Sequence, residues 1–98
     1  MNKVAQIIQA IILNQFNVEI DVNLTRPKPE FGDFATNISM QLSGKLGKNP
    51  REIAQVLVQE LKAEELVEEA TIAGPGFINL KVSATKLEQL LSQSFNEN

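Results

Sequence analysis

Residues 66–73 and 77–82 read as two strands joined by Ala73-Gly74-Pro75-Gly76. A Pro-Gly pair suits the central positions of a type II turn, where glycine accepts the positive φ. That arrangement commits this part of the chain to antiparallel pairing. In the second strand Ile78, Leu80 and Val82 share one face, and Phe77, Asn79 and Lys81 share the other. The aliphatic set has to be the buried face, because the amphipathic helices elsewhere in the chain need something to cover.

Val4, Ile7, Ile8, Ile11 and Ile12 recur at helical spacing, so the periodicity predicts a helix over 3–15. The period then changes to two. Val18, Ile20, Val22 and Leu24 alternate with Glu19, Asp21 and Asn23, which predicts a strand with one wet face. Thr25 to Asp33 is expected to be a loop, and Asp33 to cap a second helix whose buried stripe is Ala35, Ile38, Leu42 and Leu46, ended by Gly44 and Gly47. Asn49-Pro50-Arg51-Glu52 starts a third helix carrying Ile53, Ala54, Val56, Leu57 and Leu61. Ser83 caps a last one, with Leu87, Leu90, Leu91 and Phe95 on a single face. The expected order is α-β-α-α-β-β-α. The fold class is α+β, a small, mostly antiparallel sheet of three or four strands covered by about four helices. A chain of 98 residues makes one domain, 1–98.

Composition removes whole classes of chemistry. The sequence contains no cysteine and no histidine, which excludes disulfides, thiolate metal sites and every Ser-His, Cys-His or His-zinc arrangement. No carboxylate pair is nominated as an acid and base, so no catalytic residue and no metal ligand is assigned. Gly44-Lys45-Leu46-Gly47-Lys48 has its glycines too close for a phosphate loop, and Asn49 stands where Ser or Thr is needed. A net charge of −3 rules out holding an anionic polymer by bulk attraction, so any contact with nucleic acid has to be local. No segment is long and apolar enough to span a bilayer, and Met1-Asn2-Lys3 does not open a secretory leader, so a cytoplasmic location is expected.

The outward set on the last strand is the candidate site. A ring stacks on an unpaired base, an amide hydrogen-bonds a base edge, and an ammonium meets phosphate. The alternative is that Phe77 tucks under a neighbouring loop while Asn79 and Lys81 are merely solvated. Phe31 and Phe34 flank Gly32-Asp33 and either plug the loop onto the core or form an exposed docking edge. Arg26 and Lys28, and separately Lys45, Lys48 and Arg51, either touch backbone phosphate or are ordinary surface. Glu60, Glu64, Glu65, Glu68 and Glu69 read as a solvated acidic edge.

Three segments carry a resemblance. Pro29-Glu30-Phe31-Gly32-Asp33-Phe34-Ala35-Thr36-Asn37 with Met40-Gln41-Leu42, then Asn49-Pro50-Arg51-Glu52-Ile53-Ala54, then Ile72-Ala73-Gly74-Pro75-Gly76-Phe77-Ile78-Asn79 are similar to successive blocks of the N-terminal domain of arginyl-tRNA synthetases. Order and separation fit over about residues 3–85. The resemblance implies a small α+β module ahead of a class I catalytic domain and a helical anticodon-binding domain. Its expected partners are arginine tRNA, touched at the D-loop, and the catalytic domain of the same parent chain.

The same resemblance places the D-loop contact on an aromatic and on an amide two residues later, here Phe77 and Asn79. Lys81 is added from the strand face. Some members use an Asn three residues before the aromatic; this chain has Gly74 there, and no side-chain contact is carried onto it. The parent enzyme is expected to use ATP and Mg²⁺, and this domain no cofactor. The class I nucleotide-binding motifs are missing: without histidine no HIGH-type sequence exists, and no KMSK-type stretch occurs. The chain is therefore expected to be the appended domain alone, without aminoacylation activity. The rival expectation is a protein-docking face that holds the catalytic domain or a second copy.

Overall fold

The computed structural model describes residues 3–86. Helix α1 (Lys3–Phe16) buries Val4, Ile8 and Ile12, one residue per turn along a single stripe. It ends at Asn17, whose φ of 56° is left-handed and whose N–H reaches the Leu13 carbonyl at 2.9 Å. A 3₁₀ turn (Pro29–Phe31) leads into β1 (Phe34–Thr36), α2 (Ile38–Leu46), α3 (Pro50–Lys62), β2 (Val67–Ala73) and β3 (Phe77–Val82). Ser83 caps the next helical residues by accepting the Lys86 N–H at 3.2 Å. The expected stripe of Leu87, Leu90, Leu91 and Phe95 lies outside the described residues.

Among the described residues the sheet has three strands in the order β1-β3-β2, all pairs antiparallel, so the third of them in sequence is the central one in space. Helices and sheet share one core. Ile53, Leu57 and Leu61 of α3, Ile38 and Leu42 of α2, and Ile78 and Leu80 of β3 are at most 1% exposed. A bulge between Val67 and Glu69 lets Val67 and Ala70 both face the core while Glu68 and Glu69 point to water.

Several expectations change. The 18–24 segment is no strand. Val22 is buried, and Val18, Ile20 and Leu24 pack on the core, while Glu19, Asp21 and Asn23 stay exposed. The alternation is therefore right, yet the segment joins no ladder. Its backbone is tied instead by the Gln9 amide to the Ile20 carbonyl at 3.0 Å, and by an isolated bridge between Thr25 and Ala35. The first strand is Phe34–Thr36, taken from what was expected to be the second helix.

Asp33 caps no helix. Its N–H donates to the Leu80 carbonyl at 2.7 Å, and its Oδ2 accepts the Val82 N–H at 2.9 Å, so it fastens the chain to β3. Helix α2 begins five residues later, where the Thr36 hydroxyl accepts the Ile38 N–H at 3.2 Å. Gly44 lies inside α2, and Gly47 alone ends it. Asn49 does cap α3, accepting the Arg51 N–H at 2.8 Å. The hairpin turn falls one residue earlier than expected: Gly74 (φ 58°) and Pro75 are central, closed by the Gly76 N–H to the Ala73 carbonyl at 3.4 Å.

Candidate nucleic-acid interface

Ile78 and Leu80 are fully buried, and the pleat sends their neighbours the other way. Phe77 is 43% exposed, Lys81 is exposed and Asn79 is half-buried. Across the sheet Phe77 faces Ala73, Asn79 lies between Thr71 and Ala35, and Lys81 faces Glu69. The small Ala73 across the ladder leaves that flank of the ring open. Phe77 therefore does not tuck under a neighbouring loop.

The three outward residues divide between two hollows. Phe77 borders a concavity of about 280 Å³ with Asn23, Thr25, Thr36, Asn37 and Gln41. Asn79 and Lys81 border a smaller one of about 130 Å³ with Glu30, Phe31, Gly32, Glu69 and Thr71. Around Lys81 the lining holds two carboxylates, Glu30 and Glu69, against one ammonium, so this hollow is not a cationic one. The sequence reading missed Asn23, Asn37 and Gln41. Asn37 and Gln41 lie outside the strand pattern and reach Phe77 through the packing of α2 beside β3. Asn23 stood in the expected 18–24 strand and comes near the ring because Thr25 bridges to Ala35.

The two flanking rings part company. Phe31 stands 55% exposed, whereas Phe34 packs on the core with the Arg26 guanidinium 5.9 Å from its centroid. Of the other basic residues, Lys48 lies 5.9 Å from the Phe16 ring, and Arg51 Nη1 donates to the Gly74 carbonyl at 2.7 Å. Arg26, Lys48 and Arg51 thus each have an intramolecular neighbour. No helix among the described residues is long and apolar enough to cross a membrane.

Comparison with known proteins gives the lineage. The family model described as the arginyl tRNA synthetase N terminal domain matches residues 2–82. The chain belongs to that family. Arginine–tRNA ligase of Crocosphaera subtropica is 46% identical over 79 residues, covering 81% of this chain and 13% of the relative. The ligase of Shewanella pealeana is 43% identical over 88 residues, covering 90% and 15% respectively. Among solved structures, arginyl-tRNA synthetase of Plasmodium falciparum superposes with a TM-score of 0.76 at 25% identity, over 89% of this chain and 16% of that one. The Thermus thermophilus enzyme gives 0.67 at 29%, over 88% and 14%. The chain thus spans about one seventh of the length of these relatives.

Within this family domain, the segments that carried the resemblance converge on β3 and its turn. A Cβ on Gly32 would lie 2.6 Å from the Leu80 carbonyl oxygen, and one on Gly76 would lie 3.1 Å from Pro50 Cβ. The first segment is therefore pressed against the middle of β3. The second, through Pro50 and Arg51, holds the turn that launches Phe77. Much of the shared pattern thus fixes the position of the exposed ring.

Proposed function

We propose that this chain is the non-catalytic tRNA-recognition module of an arginine–tRNA ligase and that its β3 face meets the D-loop of arginine tRNA. Phe77 stacks on an unpaired base, Asn79 reads the edge of that base with its amide, and Lys81 makes a weaker, charge-based contact. The observation that carries the reading is the uncovered Phe77 ring, 43% exposed on a strand whose alternate residues are sealed in the core. Stacking on such a ring contributes about 1–3 kcal/mol per base. The larger ligase supplies arginine attachment, with ATP and Mg²⁺, and the module itself needs no cofactor.

An acidic domain suits this division of labour. Non-specific phosphate attraction falls steeply with salt, and the rest of the ligase can provide it. Tethering then concentrates the module around a single loop. The isolated chain should bind arginine tRNA with a dissociation constant on the order of 10⁻⁴ M or weaker, and micromolar affinity would contradict this. Backbone amide shifts in a titration should centre on Phe77–Lys81 and weaken with a D-loop variant. In the tethered ligase, Phe77→Ala should lower kcat/KM for tRNA. Shifts that appear only when the catalytic domain is added, with no response to tRNA, would show that the face docks protein instead.

A further inference from the structure

We propose that Arg51 grips the backbone phosphate of the nucleotide that stacks on Phe77. This inference rests on the reading of Phe77 as an RNA platform and assigns the main charged contact of that platform. With a net charge of −3, attraction for phosphate falls to individual, well-placed cations. The β3 face offers a poor one, because Lys81 shares its hollow with Glu30 and Glu69. Arg26 and Lys48 lie over other rings, those of Phe34 and Phe16.

Arg51 meets the hairpin at the residue on which Phe77 rests. Its Nη1 donates to the Gly74 carbonyl at 2.7 Å. A Cβ on Gly74 would lie 3.8 Å from Phe77 Cδ2, so the ring leans against that same residue. Guanidinium and ring thus share one glycine, which suits a phosphate and a base joined by a single sugar. The carbonyl takes one N–H of a planar fork and leaves others for the bidentate grip that a guanidinium gives phosphate. Arg51 is exposed, and among the described residues no carboxylate pairs with it, its neighbour Glu52 included. It also stands in the first turn of α3, where a cation works against the helix dipole and an anion alongside relieves it.

The test is the salt dependence of binding, measured on the 98-residue chain with an arginine tRNA transcript. One single-strand phosphate contact contributes about 0.7 to the slope of log affinity against log salt. Arg51→Gln keeps an N–H donor for the Gly74 carbonyl and removes the charge. It should lower the slope by about that amount, so that a tenfold rise in salt costs it about 5-fold less affinity than wild type loses. Arg51→Lys, which keeps the charge, should keep the slope. Lys81→Gln should change the slope less than Arg51→Gln does. Phe77→Ala should weaken binding at every salt concentration with the slope unchanged. Arg51 is exposed, so amide spectra should show an intact fold in its variants. An unchanged slope in Arg51→Gln overturns the proposal even where affinity falls, because a residue that only steadies the turn adds no salt dependence. A slope loss found in Lys81→Gln instead also overturns it and moves the phosphate to the strand face. In both cases a weakened Phe77→Ala leaves tRNA recognition standing. If Phe77→Ala binds like wild type, the recognition reading falls and takes this assignment with it.

Discussion

Replacing Gly32 by alanine probes how the first motif segment is locked to β3. The added methyl would stand 2.6 Å from the Leu80 carbonyl oxygen and 3.0 Å from its carbon, both backbone atoms of the central strand. Leu80 is itself fully buried, so it has nowhere to retreat. The φ of +127° at Gly32 adds a strain of about 1–3 kcal/mol for any residue with a side chain. Relief requires the 32–33 backbone to lift off β3. That movement weakens the Asp33 N–H to Leu80 bond (2.7 Å) and the Val82 N–H to Asp33 bond (2.9 Å). Each such bond contributes about 1 kcal/mol net. The expected loss is about 3 kcal/mol or more, out of the 5–15 kcal/mol typical of a domain. That loss corresponds to a fall in Tm of about 10–25 °C.

Gly44→Ala is the matched control. It makes the same chemical change in the interior of α2, where an added Cβ meets nothing within 4 Å. It should stabilise by about 0.5–1 kcal/mol. Urea unfolding followed by far-ultraviolet circular dichroism reads both. A Gly32→Ala variant within about 1 kcal/mol of wild type, a loss typical of an unexceptional substitution, would refute the close-approach reasoning.

Phe31→Ala should change unfolding free energy by no more than about 0.5 kcal/mol, because the ring stands on the surface rather than in the core; a urea midpoint shifted by much more would put that ring inside. Ser39 is fully buried, and its hydroxyl has no hydrogen-bond partner among the described residues. Ser39→Ala should therefore be neutral or stabilising by about 1 kcal/mol in the same assay, and a clear loss would reveal a partner for that oxygen.

The hairpin, the capped start of α3 and the two-faced last strand were legible in the sequence. Each depends on neighbours in the chain: a Gly-Pro-Gly turn, an Asn-Pro cap, and an alternation that survives in any sheet. The 18–24 segment shows where such reading stops. Its alternation identified which side chains face the core, but burial does not say whether the backbone finds a ladder. Asp33 shows the same limit from the other side. As a cap it looked local, and it serves a strand 49 positions away.

The sequence by itself therefore determined that Phe77, Asn79 and Lys81 leave one face of one strand, because a two-residue period allows nothing else once Ile78 and Leu80 are core. Tertiary structure decided the rest. It seated that strand in the middle of the sheet, left Phe77 bare beside the small Ala73, and parted it from the hollow that Asn79 and Lys81 share. It also carried Asn37 and Gln41 to the ring's edge. Contacts between distant segments are set by how helix α2 packs against the sheet, a geometry that no local pattern encodes.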